Sequence, residues 1–360
     1  MIKKYSHPVS LIPQYRMPLM GLAAIWIVAY HSFSFGTSFL GSLLNFVKAG
    51  GFVGVDIFFF LSGMGLMMGW HKKRYTLKAF YLRRLSRILP AYWIVIVFGL
   101  AARFVLGAAC PMGKFAADFF CVGYLIPGFS IFGLWFVDCI ILFYLLFPLL
   151  AYFMTKPGKS FKCVVIVTCV SLALAIFLGW IEYGSYLNMF ILRWPVFILG
   201  MYTGLCIVTQ NYTYFDKVSS RMLCLILLTG IVFLFISRQI LPLYVSRSTL
   251  WQTGIWFCPS VIIFFPFCYW SARLCDWCKK NFVAKKLITA FSFLGESSWE
   301  IYLVHVVALN LVRGRWNSYR QFHPEFFVAA AAIACAILLH YLLQNNRFSG
   351  LFKSVGANRA

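Results

Sequence analysis

The chain has 360 residues, 62% of them hydrophobic and only 11% charged, with a mean hydropathy of +0.83. A soluble domain is about half apolar and about a quarter charged, so a soluble globular enzyme, a disordered chain, a collagen-like fibre and a small disulfide scaffold are all excluded. The charge is lopsided, with 32 Lys and Arg against 9 Asp and Glu, and in a chain this apolar the excess belongs to membrane loops rather than to nucleic acid recognition.

At about 20 apolar residues per span, the length allows about ten transmembrane helices with short loops. Lys3, Lys4, Pro8 and Pro13 open the chain, and the first apolar run has the character of a retained span rather than a cleaved signal. The runs fall at 17–35, 51–70, 90–109, 131–154, 162–180, 186–208, 220–236, 249–270, 288–312 and 326–343. They are far longer than barrel strands, and open strands cannot satisfy their backbone in lipid. The expected fold is therefore all-α, a polytopic membrane protein with one transmembrane domain over residues 1–360. With ten spans both termini share a side. On that assignment 23 Lys and Arg fall on the side of the termini and 8 on the other. Cytoplasmic loops collect such charges, so both termini are expected in the cytosol and the chain in a cytoplasmic membrane.

Most of the 12 cysteines sit singly in apolar runs, where a thiol behaves as a small hydrophobe. Cys275 and Cys278 form the one close pair, and no second ligand pair lies near to complete a zinc site. No metal is expected.

Ionisable residues inside spans are costly and mark functional sites. Counted at about 1.5 Å per residue, His31, Asp56, Asp138, Arg193 and His305 share one layer in the outer half of the membrane. Glu296 and Glu300 lie deeper on the ninth run. Two histidines beside carboxylates favour acid–base chemistry or a proton relay. The plainer readings remain open: Asp56 as a helix cap, Arg193 as a structural partner for an acid, and each histidine as a helix–helix hydrogen bonder. Gly200 and Gly204, at GxxxG spacing, and Gly63 read as points of close helix approach.

The segment 71–90, HKKRYTLKAFYLRRLSRILP, reads as a basic inner loop. Arg84 and Arg87 are three apart and share a helical face. A pair of guanidinium forks suits a phosphate-bearing cytosolic ligand, and an interfacial charge belt is the simpler alternative.

Taken together, these stretches resemble the bacterial acyltransferase-3 family of integral membrane acyltransferases. RMPLMGLAAIWIVAYHS (16–32) is similar to the family's first helix, ending in its functional histidine at His31. GGFVGVDIFFFLSG (50–63) resembles the second helix, and FYLRRLSRILPAYW (80–93) the R-x-x-R segment at Arg84 and Arg87. LWFVDCIILFYLLFP (134–148) looks like the Trp-bearing fourth span, and LGESSWEIYLVH (294–305) like the late motif with Glu300 and His305. One departure stands out: where many members carry an arginine in the first helix this chain has Met20, and Arg16 lies about one turn lower. No appended extracytoplasmic hydrolase-like domain, as some members carry, is expected within these residues.

The resemblance implies transfer of an acyl group, commonly acetyl from acetyl-CoA, to a hydroxyl of an extracytoplasmic or lipid-linked glycan. Arg84 and Arg87, with Lys72, Lys73 and Arg74 in support and Arg16 as a further candidate, would hold the phosphates of the acyl-CoA donor. His31 would take the acceptor proton or carry the acyl group. Asp56 or Glu300 would orient an imidazole, and His305 would bind acceptor or share the proton. The rival reading is a proton-coupled transporter or flippase of a glycan precursor. The chain shows neither the paired broken helices nor the internal symmetry which that reading favours.

Overall fold

A computed structural model of the chain describes residues 7–32, 34–36, 38–73, 75–126, 128–179, 185–312 and 324–345. Of the charges counted above, Lys3, Lys4, Arg74, Arg313, Arg315, Arg320, Arg347, Lys353 and Arg359 lie outside the described residues.

Among these residues all regular structure is helical. The α-helices in order are α1 (Leu11–Gln14), α2 (Arg16–His31), α3 (Phe39–Ala49), α4 (Val53–Lys72), α5 (Leu77–Val105), α6 (Met112–Phe119), α7 (Trp135–Met154) and α8 (Ser160–Gly179). They continue as α9 (Ser185–Ile191), α10 (Trp194–Thr209), α11 (Ser220–Phe235), α12 (Arg247–Gln252), α13 (Cys258–Cys278), α14 (Phe282–Glu296), α15 (Ser298–Val312) and α16 (Pro324–Asn345). Each of the ten apolar runs falls mainly on helix. Among the described residues, eight stretches are long and apolar enough to cross a membrane, or nine if the bent pair Pro8–Gln14 and Arg16–His31 is one span.

The remaining run, 288–312, is divided between α14 and α15, and the apolar α15 has only 15 residues. The bend of 71° before α2 has a local cause. Pro18 has no N–H to give the Gln14 carbonyl, so the helical ladder is interrupted there. Most of the segment 71–90 is helix, with a break before Leu77: α4 runs to Lys72, and α5 starts at Leu77, capped by the Thr76 hydroxyl accepting the Ala79 N–H at 3.3 Å. α5 continues through Pro90, an interruption that membrane helices tolerate.

By contact the chain divides into two compact units. The first comprises Met1–Ile27, Gly36–Arg74 and Phe147–Gly295; the second comprises Val28–Phe35, Tyr75–Leu146 and Glu296–Ala360. Inside the first unit α4 and α10 lie deep, and their backbones touch where glycine allows it. A Cβ on Gly63 would stand 2.4 Å from the Phe197 carbonyl oxygen, and one on Gly200 would stand 2.2 Å from that of Phe60. Any side chain there would force the helices apart, which is how small residues hold membrane helices together. α8 and α11, by contrast, turn Ile166, Phe177 and Leu225 outward, as helices apolar on every side do when lipid is the solvent.

In the second unit α5 and α15 run in the same direction. The Trp299 indole N–H donates to the Ile88 carbonyl at 3.2 Å, and further along both helices Gly99 meets Val307. Buried polar groups pin the segment between α6 and α7 over this pair. Asp118 Oδ2 accepts the N–H of Ile131 at 2.8 Å, and Asp138 Oδ2 accepts that of Tyr124 at 2.8 Å. The Tyr92 hydroxyl donates to the Asp118 carbonyl, and Asn310 Nδ2 donates to the carbonyl of the wholly buried Phe132 at 2.6 Å. Burial pushes the Asp118 carboxyl above the usual carboxylate range, and its N–H donors hold it down in part.

Candidate active site

The site is built on the last turn of α2 and the middle of α15, both within the second unit. His31 Nδ1 stands 3.3 Å from His305 Nε2, with ring centroids 5.4 Å apart. His305 is wholly buried, and its Nδ1 lies 2.8 Å from the Ile301 carbonyl one turn back on α15. Aromatic neighbours hold both rings: Tyr30 packs edge-on to His31 at 5.0 Å, and Tyr302 packs edge-on to His305 at 5.7 Å. The two histidines placed at one depth in the sequence are thus in direct contact. An imidazole pair of this kind can accept, hold and pass a proton without burying a net charge at rest.

Glu300 is five residues before His305 on the same helix, hence about 140° around it. It faces α16 instead, where its Oε2 lies 3.2 Å from His340 Nδ1. Gln344 Nε2 donates to the other ring nitrogen of His340 at 2.8 Å. The imidazole that Glu300 orients is therefore that of His340. The depth argument applied to 326–343 would have singled out His340 as an ionisable group inside a span. The Asp118 anchor gave no such signal, since it lies in a segment between runs.

Arg84 and Arg87 sit in the third turn of α5. Arg84 is half-buried, with its guanidinium 5.9 Å from the Phe80 ring and Nε buried without a hydrogen-bond partner. Arg87 is exposed. Arg83 is turned to the Tyr75 hydroxyl at 2.8 Å, outside this face. Because Trp299 meets Ile88, Arg84 lies four residues to one side of that level and His305 six residues to the other. The separation along the helix pair is about 15 Å. Arg84 and Arg87 thus lie toward one end of the α5–α15 pair and His305 toward the other.

The first unit holds the other candidates. Asp56 and Arg193 are both buried, with Arg193 Nε 3.1 Å from Asp56 Oδ1. Arg193 also stacks on Phe257 at 4.7 Å, and Asp56 does not cap its helix. Arg16 lies against α4, where a Cβ on Gly65 would stand 3.5 Å from its Cζ. Lys72 and Lys73, at the end of α4, are exposed. Cys275 and Cys278 lie on the last turn of α13 as free thiols. Among the described residues no group of three or more His, Cys, Asp or Glu is placed to hold a metal ion.

Comparison with known proteins identifies the family. The sequence profile Acyl_transf_3, described as an acyltransferase domain, matches residues 19–354. A similar protein is the peptidoglycan O-acetyltransferase OatA of Listeria monocytogenes serovar 1/2a, 42% identical over 85 residues. That match covers 22% of this chain and 12% of the relative's length. No solved structure matches.

Proposed function

The chain belongs to the Acyl_transf_3 acyltransferase family, and from that premise we propose that it moves an acetyl group from acetyl-CoA to a hydroxyl of a cell-envelope glycan. The acceptor class follows that of the Listeria relative, a peptidoglycan O-acetyltransferase. The observation that carries the chemistry is the contact of His31, at the end of α2, with His305 on α15, the helix that packs against the α5 segment bearing Arg84 and Arg87.

His31 is the general base in this reading. It takes the proton of the acceptor hydroxyl as the oxygen attacks the acyl carbonyl carbon. The C–S bond of the thioester breaks, its electron pair leaves on sulfur, and the proton on His31 is returned to the thiolate. His305 stabilises the charge that His31 acquires. Arg84, with a buried Nε that has no protein partner, and the exposed Arg87 fit the phosphates of a CoA donor. The distance of about 15 Å from Arg84 to the level of His305 suits a donor held at its charged end while its acyl end reaches the histidines. Glu300 orients His340 below the reaction centre, while Asp56 with Arg193 supports the first unit. Arg16 is a further donor-binding residue in this reading, by the family resemblance alone. The excess of Lys and Arg on one set of loops supports a cytoplasmic membrane with both termini in the cytosol. The test is transfer of labelled acetyl from acetyl-CoA to a glycan acceptor in proteoliposomes. A glycan that crosses the membrane unmodified supports a transporter or flippase instead.

A further inference from the structure

We infer that His305 is a positioning residue that fixes the tautomer of His31, so that Nε2 of His31 is the nitrogen that meets the acceptor hydroxyl. The inference rests on the reading of His31 as the base, but the tautomer can be measured without any turnover.

The argument follows the protons from the buried end outward. The Ile301 carbonyl oxygen can only accept, and His305 Nδ1 lies 2.8 Å from it. Nδ1 of His305 therefore carries a proton. His305 is wholly buried, and a second proton would leave a cation out of water. The ring is neutral, and its Nε2 presents a lone pair. His31 Nδ1 approaches that lone pair to 3.3 Å. Two lone pairs would repel at this distance, so a proton lies between them, and by elimination it belongs to His31 Nδ1. A neutral His31 then has its basic lone pair on Nε2.

This order has a chemical consequence. When the acceptor O–H bond breaks and an N–H bond forms at Nε2, His31 becomes an imidazolium whose Nδ1–H already points at an acceptor. His305 thus does with a neutral ring what a carboxylate does for the histidine of a catalytic triad. It selects one tautomer, and it offers an acceptor for the charge that appears during the reaction. The edge-on contacts of Tyr30 and Tyr302 keep both rings from turning away. The helix back-bond to Ile301 keeps His305 from presenting an N–H to His31.

The first experiment is nitrogen-15 solid-state NMR on histidine-labelled protein in liposomes, with the His31 signals identified by their loss in His31→Gln. The expected result for neutral His31 is a protonated Nδ1 and an unprotonated Nε2; a protonated Nε2 overturns the inference. The second experiment compares variants. His305→Gln places a carbonyl oxygen where Nε2 stood and should keep most of the transfer rate. His305→Leu removes the acceptor and should lower kcat by at least about tenfold and up to about 10⁴-fold, the loss seen when the group that orients a triad histidine is replaced. KM for donor and for glycan should stay unchanged. Equal losses in the Gln and Leu variants, or a loss confined to KM, overturn the positioning role. If His31 shows the expected tautomer and the wild-type protein transfers no acetyl from acetyl-CoA, the functional proposal fails while the tautomer assignment holds. If the wild type transfers and His31 is protonated on Nε2, the reverse is true.

Discussion

Each unit holds a close polar pair deep among its helices, Asp56 with Arg193 in the first and His31 with His305 in the second, and these two pairs are built on different chemistry. In the first unit a carboxyl and a guanidinium meet, with Arg193 Nε 3.1 Å from Asp56 Oδ1. Taking away one member of a buried pair of this kind is costly. In the second unit His31 and His305 meet as two rings of the same kind. Imidazole is the side chain whose ordinary range lies near neutral pH, which suits it to proton transfer. Burial inside a membrane therefore does not by itself identify a reactive group. What separates a structural pair from a reactive one is whether its charge state can change at working pH.

That contrast can be broken by substitution. The largest effect is expected from His31→Gln, which should lower acyl transfer by about 10²–10⁴, the usual contribution of a general base, at unchanged membrane abundance. An amide can replace a helix–helix hydrogen bond but cannot take a proton, so near-normal turnover would make His31 structural, like Asp56. Next comes Asp56→Ala, which should destabilise the protein by about 3–5 kcal/mol by stranding Arg193. Thermal unfolding in detergent reads this directly. The double variant Asp56→Ala, Arg193→Met should recover part of the loss, and a double variant no more stable than the single would remove the ion pair from the account.

Arg84→Ala sharpens the same comparison from the donor side. Losing one charge-assisted phosphate contact should cost about 1.5–3 kcal/mol, seen as a donor KM raised about ten- to a hundredfold with acceptor KM unchanged. An unchanged donor KM would return the arginines to an interfacial charge belt. The smallest effect is expected from Cys275→Ser with Cys278→Ser, which should leave acylation and abundance as they are. Lost transfer at normal abundance would give this pair a role that its lone position on α13 does not suggest.

Much of this was legible in the sequence. The apolar runs give the helices because lipid forces backbone groups to pair within their own segment. Depth counting put His31 and His305 at one level, and a profile match over residues 19–354 agrees with the family that the motifs resemble. Rotation about the helix axis was not legible. α4 and α15 are apolar on every side, so no periodic pattern marks which face meets which neighbour. That is why depth could place Glu300 without saying that it faces His340, and why Asp56 was open to several readings until Arg193 stood beside it. Helix ends were blurred for a related reason. Pro90 looks like a helix start, but α5 begins thirteen residues earlier because its basic first turns extend the helix beyond the apolar run.

The central claim is that the histidine pair of the second unit performs acyl transfer. Its most direct test is to reconstitute wild-type protein and His31→Gln at matched amounts in liposomes, supply labelled acetyl-CoA on the side of the termini and a peptidoglycan fragment on the other, and count label in the glycan. The account predicts acetylated glycan from the wild type and a loss of at least about a hundredfold in the variant. Equal label from both proteins, or an unlabelled glycan with the wild type, would contradict it.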